Sequence, residues 1–275
     1  MQMKKNALTR FKELIPPPLH ILLRNARHRL RDNARMLIFF VSYKKRKLLS
    51  RIYSKCTTKE DYLTFCNKIS AYPWQHKEEI FGLLSYAMLY KPKCVIEIGT
   101  ADCGVTFLLS HVLESASLVI GIDLCVQKGF LLHYFSKPKQ TVKFINGPSC
   151  HPKTIAKVKN ILGDKKVDLL FIDGDHSYDG VKKDFLNYRQ FMAEDGLIAF
   201  HDILPDYFTL YGVKTKNYAG GVPDFYKLIK GLYPSVEFVK DPNSDGMGIG
   251  LIKYSHHIIL PYDLKDTARA LPEKR

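Results

Sequence analysis

The amino-acid sequence predicts an α/β protein in which a basic helical segment precedes one three-layer domain. Three observations support this prediction. From residue 77 onward, helical patterns alternate with short runs rich in β-branched residues, which is typical of a mostly parallel sheet with crossover helices. The last two of these runs have no helix between them, and the positive charge of the chain is concentrated near its start.

The alternation supplies seven strand candidates and five helix candidates. The last two strands are joined by the turn-forming segment 241–246 and should form an antiparallel hairpin at one side of the sheet. The expected fold is a three-layer Rossmann-like domain with a seven-stranded, mostly parallel sheet and an antiparallel last strand. The strand candidates are residues 94–98, 118–122, 142–145, 167–172, 197–200, 236–239 and 249–253, and the helix candidates are residues 77–90, 104–115, 152–162, 180–193 and 222–233.

The N-terminal extension carries most of the charge. Residues 1–55 hold 15 Lys and Arg against two acidic residues, a net charge of +13 out of +15 for the whole chain. We predict a basic helical extension at 1–70, an α/β domain at 71–255 and a C-terminal tail at 256–275. Three prolines at 16–18 should break the chain before a helix over 19–35, and a separate apolar block at 36–43 precedes a basic cluster at 44–47. The apolar positions of that helix are Leu19, Leu22, Leu23, Ala26 and Leu30.

This pattern leaves three kinds of partner open for the extension. It suits a docking helix on the body or in a homo-oligomer, an anionic membrane surface bound through residues 1–55, or nucleic acid. Nucleic acid ranks lowest because the rest of the chain shows no aromatic and basic platform for it. The longest apolar run is far shorter than the roughly 20 residues of a membrane-spanning helix. No secretory signal is evident, so we expect a cytoplasmic protein that could associate with membranes.

The first strand ends in a turn that predicts a ligand site. Ligands of open α/β sheets bind beyond the carboxyl ends of the strands, and here Gly99 and Gly104 let the backbone approach a ligand before a helix. The turn lacks the G-x-G-x-x-G pattern that pyrophosphate requires, and Glu97 would repel a pyrophosphate. The carboxylate instead suits a cationic ligand such as S-adenosylmethionine.

The next two strands carry candidates for the adenosine part of that ligand. Asp123 ends strand two, where a carboxylate can accept hydrogen bonds from both ribose hydroxyls. Ser149 follows strand three and could border an adenine ring, although a plain turn explains the preceding Gly147-Pro148 equally well.

Strands four and five predict a metal site. Asp173 follows strand four, and His201 and Asp202 end strand five; if the two strands are neighbours about 4.8 Å apart, the three side chains can converge on one ion. The carboxylates suit Mg2+, and the imidazole shifts the preference toward Mn2+, iron or zinc. The alternative is that the carboxylates cap the following segments and the imidazole binds a loop carbonyl.

His176 is the candidate general base, because it lies three residues after Asp173 and imidazole has a pKa suited to accepting a proton near neutrality. Asp175 fits a loop-capping role better. The aromatic-rich loop 203–221 is a candidate lid over an acceptor, with packing on the body as its alternative.

These motifs together resemble the methyltransferase family that includes macrolide sugar O-methyltransferases and proteins labelled cephalosporin hydroxylases. The resemblance covers roughly two thirds of the chain, and its layout is similar to that of catechol O-methyltransferases. The ordered motifs are Gln75 with Glu79, Val95–Thr100, Gly121–Asp123, Phe171–Val181, Gly196–Ile203 and Gly221–Phe225.

The resemblance implies an S-adenosylmethionine-dependent O-methyltransferase acting on a sugar or other small hydroxylated acceptor. It further implies that Asp173 and the pair after strand five, His201 and Asp202, hold a divalent metal. Asp173 would also contact S-adenosylmethionine, and His176 would be the base. His201 stands where metal-binding relatives have a carboxylate, and Cys103 where a second glycine is common. A nicotinamide-dependent oxidoreductase, an RNA-binding methyltransferase using the basic arm, and a non-catalytic adaptor are the alternatives.

Overall fold

The structure is a computed structural model that describes the backbone of residues 17–261 and side chains from residue 23 onward. The predicted apolar positions Leu19 and Leu22, and the tail beyond residue 261, lie outside the described side chains. The chain divides into two compact units, residues 1–49 and residues 50–275. Within residues 17–261, no helix combines the length and the apolar character that crossing a membrane requires.

The described part of the first unit, residues 17–49, is helical and more continuous than the sequence predicted. Helix α1 runs over Pro17–Val41, and α2 follows over Tyr43–Tyr53. The helix predicted over 19–35 therefore continues to Val41, and the prediction that residues 36–43 form a separate block is wrong. Pro17 and Pro18 are the first residues of α1, where a missing N–H costs nothing because those donors have no partner inside the helix.

The second unit contains the predicted sheet, with strand order β3-β2-β1-β4-β5-β7-β6. All pairs from β3 to β5 are parallel, and β7 is antiparallel to both β5 and β6. The antiparallel hairpin of the last two strands is thus confirmed. The strands are β1 (Cys94–Ile98), β2 (Leu118–Asp123), β3 (Thr141–Asn146), β4 (Val167–Ile172), β5 (Met192–His201), β6 (Ser235–Phe238) and β7 (Ile249–Lys253).

The helices of the second unit cover both faces of the sheet in three layers, as predicted. They are α3 (Lys59–Lys68), α4 (Lys77–Tyr90), α5 (Gly104–Val112), α6 (Gly129–Tyr134), α7 (Pro152–Leu162), α8 (Tyr178–Tyr188), α9 (Tyr207–Tyr211) and α10 (Val222–Lys230). The helix predicted over 180–193 ends earlier, because residues 189–191 form a 3-10 turn and β5 already begins at Met192.

Local sequence explains where several helices begin. Thr58 caps α3 in a reciprocal capping box with Asp61, and Ser177 caps α8 by accepting from the Gly180 N–H. α7 begins with Pro152 after the His151 cap. The start of α8 matters for function, since it fixes the loop that follows β4.

The hydrophobic core fixes the positions of the strands whose ends carry the predicted site residues. One sheet face buries alternate residues of β1, β2, β4 and β5, among them Ile96, Ile120, Leu170 and Ile198. The β4–β5 pairing aligns Ile172 with Phe200, so the two strands end side by side as the sequence analysis required. Asp173, His201 and Asp202 therefore meet at one edge of the sheet.

Candidate active site

The turn after β1 is built around Gly99. Its φ is +90°, and an added Cβ would lie 1.8 Å from the backbone oxygen of Asp173. Hydrogen bonds hold the crowded strands in place: the Gly99 N–H donates to Ile122 O and the Asp173 N–H to Ile98 O, both at 2.8 Å. Only glycine fits this position, because both the backbone angle and the neighbouring carbonyl exclude a side chain.

Gly104 begins α5 under similar crowding. An added Cβ would lie 2.2 Å from the backbone nitrogen of Pro73. Gly104 thus brings the segment before α4 onto the turn, and this segment contains Gln75, which enters the active site. Cys103, at the position where the resemblance led us to expect a glycine, adopts a left-handed φ of 62° and is buried.

Asp123, at the end of β2, has both carboxylate oxygens turned to backbone N–H groups. Oδ2 accepts from Ala101 at 3.0 Å, and Oδ1 accepts from Cys125 at 2.7 Å. Each oxygen has a second lone pair, so the carboxylate ties the β1 turn to the β2 turn and keeps capacity for two further donors.

Glu97 lies inside the domain on β1 and is almost completely buried. Thr106 of α5 donates its hydroxyl to Glu97 Oε2. Burial raises the pKa of Glu97 well above its usual range. The raised pKa weakens the sequence argument that Glu97 attracts a cation, because burial disfavours the charged carboxylate on which that attraction depends. Its part in cofactor binding stays a prediction.

Ser149 meets a buried carboxyl that the sequence analysis did not consider. Its hydroxyl donates to Asp184 Oδ1 of α8 at 2.5 Å, and its carbonyl accepts from the Tyr188 hydroxyl at 2.9 Å. Asp184 Oδ2 is buried without a hydrogen-bond partner among the described residues. The Ser149 hydroxyl proton is therefore used within the domain, and its predicted contact with adenine is untested.

Asp184 predicts a pH dependence of stability. Burial raises its pKa to about 7, although the Ser149 hydrogen bond opposes the shift. Between pH 4 and pH 7 the folded state keeps a proton that the unfolded state has lost, so the free energy of unfolding falls as the pH rises through this window. At 1.36 kcal/mol per pKa unit, the contribution has an upper bound of about 4 kcal/mol.

We expect Asp184→Asn to remove this slope, as measured by urea unfolding at several pH values from 4 to 8. Asp179→Asn, an exposed change on the same helix, is the matched control and should keep the wild-type slope. An unchanged slope in Asp184→Asn would assign the pH dependence to other groups.

Asp173 is the centre of a cluster of polar side chains at the ends of β4 and β5. His201 Nδ1 lies 3.2 Å and His176 Nε2 3.5 Å from Asp173 Oδ1. The Gln75 amide donates to Asp173 Oδ2 at 2.7 Å. Burial would raise the pKa of Asp173, but the two imidazoles outweigh it and lower that pKa to about 2. Asp173 is therefore an anion at neutral pH.

Asp202 completes the cluster beside His201. Its Oδ2 lies 3.2 Å from His176 Nδ1, and its Oδ1 accepts from the Met247 N–H at 3.0 Å. Asp202 has a left-handed φ of 60°, an uncommon conformation outside glycine that directs its carboxylate back toward β4. Asp173, His201 and Asp202 each offer a ligand atom, and these atoms lie within 4.8 Å of one another.

Two buried polar atoms of this cluster have no hydrogen-bond partner among the described residues. They are Gln75 Oε1 and His201 Nε2, one an acceptor and the other a donor or a metal ligand depending on protonation. Leaving such atoms buried without a partner is costly, and they lie next to the predicted metal ligands. The site therefore has unused binding capacity for a polar ligand.

His176 sits at the open side of the cluster, with about a quarter of its side chain exposed. Nδ1 lies 2.5 Å from the carbonyl oxygen of Tyr218. Burial lowers the pKa of His176, but Asp173, the Tyr218 carbonyl and Asp202 outweigh it and raise that pKa to about 9. The expectation of a near-neutral pKa is thus wrong for these side chains alone, because two carboxylates stabilise the imidazolium.

The loop 203–221 is held at its base by Asp206. Its carboxylate accepts from Thr209 N–H at 2.7 Å and from Ala219 N–H at 2.8 Å. The Gly221 N–H donates to the His176 carbonyl at 2.8 Å, so the end of the loop is fixed to the active site. Any closing motion is therefore confined to the middle of the loop, and the lid stays a prediction.

Asp175 accepts from the Ser177 N–H at 2.9 Å, as a loop-capping residue should.

Sequence reasoning missed the side chains that reach the cluster from other parts of the chain. Gln75 appeared only as a motif, 98 residues before its partner, and Tyr218 appeared only as a lid aromatic. The Tyr218 ring lies parallel to the His176 ring at 6.2 Å. No local spacing signals such contacts.

Residues 96–203 match a family model described as a methyltransferase domain. Among curated proteins, an uncharacterised protein of Acanthamoeba polyphaga mimivirus is 32% identical over 119 residues, which cover 39% of this chain and 50% of that protein. An uncharacterised protein of Sinorhizobium fredii is 28% identical over 97 residues, covering 35% of this chain and 9% of that protein. The chain thus matches at most half the length of these relatives.

Solved structures share the fold at low identity. One described as a caffeoyl-CoA O-methyltransferase of Staphylococcus aureus has a TM-score of 0.53 and 18% identity, covering 77% of this chain and 99% of that chain. The O-methyltransferase of Bacillus cereus in complex with S-adenosylhomocysteine has a TM-score of 0.53 and 15% identity, covering 73% and 92%. The second unit therefore has the Rossmann-like fold of these O-methyltransferase structures, and residues 96–203 within it match the methyltransferase domain model.

Proposed function

We propose that the protein is an S-adenosylmethionine-dependent O-methyltransferase that acts on a hydroxyl of a sugar or another small hydroxylated acceptor. The observation that carries the proposal is the cluster of Asp173, His176, His201 and Asp202, which lies beside the glycine turn of β1. In the reaction the acceptor oxygen forms a bond to the methyl carbon, the carbon–sulfur bond breaks, and S-adenosylhomocysteine leaves with the electron pair.

The acceptor hydroxyl must lose its proton, and in the proposed reaction His176 receives it. Its Nδ1 is held by the Tyr218 carbonyl, which leaves Nε2 as the nitrogen that can exchange a proton at the cluster. The proton-transfer role requires the neutral imidazole, whereas the two carboxylates favour imidazolium. Activity should therefore rise with pH as His176 loses its proton.

The donor set fits a divalent metal. Two carboxylates and one imidazole offer ligand atoms within 4.8 Å of one another, and His201 Nδ1 is the ring nitrogen that faces both carboxylates. Gln75 Oε1 is buried beside them without a hydrogen-bond partner among the described residues. Asp173, His201 and Asp202 would hold Mg2+ or Mn2+, with the imidazole favouring Mn2+. Such an ion would polarise the acceptor hydroxyl and offset the carboxylate charge that keeps His176 protonated.

Two exposed aromatic side chains support a hydroxylated ring as the acceptor. Tyr218 is exposed and lies parallel to His176, and Trp74 is exposed and directly precedes Gln75. Aromatic rings of this kind bury the apolar face of a sugar while leaving its hydroxyls to polar groups. The acceptor would thus contact rings at the rim and the polar cluster below them.

The test is isothermal titration of S-adenosylmethionine and S-adenosylhomocysteine into the full chain, with and without Mn2+. We expect Asp123→Ala to weaken binding of both by about 10- to 100-fold, the value of a lost hydrogen bond to a charged group. Asp164→Ala, an exposed carboxylate elsewhere, should bind like wild type. No binding to the wild-type chain under any metal condition would refute the proposed function.

A further inference from the structure

Helix α1 has an exposed apolar stripe that plays no part in the proposed methyl transfer. Leu23, Leu30, Leu37 and Val41 are 50%, 71%, 64% and 75% exposed. They are spaced by seven, seven and four residues, and at 100° per residue they fall within about 40° of one line along the helix. Ile38, 61% exposed, lies next to this line.

A row of arginines flanks the stripe on one side. Arg24, Arg27, Arg31 and Arg35 are spaced by three or four residues and are all exposed. The basic cluster Lys44–Lys47 follows at the start of α2. Residues 23–49 contain nine basic residues and one acidic residue, Asp32. The first unit therefore combines exposed leucines with a strong positive charge.

We propose that α1 lies on the surface of an anionic lipid bilayer, with this stripe inserted at the boundary between headgroups and acyl chains. An amphipathic helix with an apolar stripe beside arginines binds in this way, because its leucines leave water and its arginines contact lipid phosphates. The exposed stripe and the charge of the first unit are the observations that carry this proposal, which does not depend on the methyltransferase activity.

The same charges argue against two other occupants. A second copy of α1 packed along the stripe would bring two rows of arginines together, which is repulsive. A nucleic acid would neutralise the arginines but leave the leucines in water, since phosphate contacts need no apolar stripe. An anionic bilayer satisfies both features at once.

The test is co-sedimentation of the full chain with vesicles of phosphatidylcholine alone and of phosphatidylcholine with phosphatidylserine. We expect binding only to the vesicles with phosphatidylserine, and weaker binding at higher salt. The triple variant Arg27→Gln, Arg31→Gln, Arg35→Gln should bind about 100-fold more weakly. Its matched control, Lys157→Gln, Lys159→Gln, Lys183→Gln, removes the same charge from exposed positions of the second unit and should bind nearly like wild type.

A second variant tests the stripe apart from the charge. Leu30→Gln, Leu37→Gln should lose at least about tenfold in vesicle affinity, since each leucine buried in the bilayer leaves water. Leu89→Gln, an exposed leucine of α4, is the control. Equal vesicle binding by the stripe variant and wild type would overturn the proposal. The proposal would also be overturned if the chain failed to bind vesicles and formed a dimer that the stripe variant abolishes. The same holds if the chain bound RNA in a salt-sensitive way without binding vesicles.

Discussion

Replacing His176 with alanine is expected to lower turnover by about 10²- to 10⁴-fold while binding of S-adenosylhomocysteine survives. The imidazole is the proton acceptor in the proposed reaction, and losing a positioned general base costs this much. We expect cofactor binding to survive because Gly99 and Asp123, the residues predicted to bind the cofactor, make their hydrogen bonds without His176.

The measurement is S-adenosylhomocysteine release with a panel of hydroxylated sugars and catechols as acceptors, beside titration of S-adenosylhomocysteine. His133→Ala, an exposed histidine of α6, is the matched control and should leave turnover unchanged. Joint loss of turnover and of S-adenosylhomocysteine binding in His176→Ala would instead show a structural role.

The pH dependence of kcat/KM is a second test of the role of His176. Because Asp173 and Asp202 raise the pKa of His176 to about 9, kcat/KM without added metal should rise up to that pH. Mn2+ should move the rise toward lower pH, since a cation between the two carboxylates removes the charge that favours imidazolium. A profile that Mn2+ leaves unchanged would contradict the metal site next to His176.

Much of the fold could be predicted because its signals are local. β1, β4 and β7 have the bounds that runs of β-branched residues indicated, and the strand ends carried Asp123, Asp173 and Asp202. Parallel strands place their carboxyl ends at one edge, so residues far apart in sequence could be expected to meet there. The cluster of Asp173, His201 and Asp202 follows from that rule alone.

The rest of the site depends on contacts that no local pattern encodes. Gln75 reaches Asp173 because Gly104 allows the preceding segment to lie against the turn, which only the packed domain reveals. The pKa of His176 depends on two carboxylates and a carbonyl 42 residues away. The helix over 19–35 was ended too early because the apolar block 36–43 was taken as a separate piece, whereas α1 continues through it to Val41.

Replacing Gly99 with alanine is expected to have the largest effect on stability. The added Cβ would lie 1.8 Å from the Asp173 carbonyl oxygen, and a φ of +90° disfavours any side chain. The carbonyl cannot move away easily, because the Asp173 N–H is fixed to Ile98 by a hydrogen bond of 2.8 Å. Strain and overpacking together should lower the free energy of unfolding by about 3–5 kcal/mol.

Gly163→Ala separates these two causes in urea unfolding. Gly163 also has a positive φ, with φ +56° and ψ −123°, a conformation that side chains disfavour, but nothing lies within 4 Å of an added Cβ, so only a backbone term of about 1–3 kcal/mol applies. The difference between the two variants therefore measures the close approach of β1 and β4, the contact that brings the glycine turn of β1 beside Asp173. Equal losses in both variants would mean that the strands can separate at little cost, and the turn would then be too loose to hold the acceptor cluster against a bound cofactor.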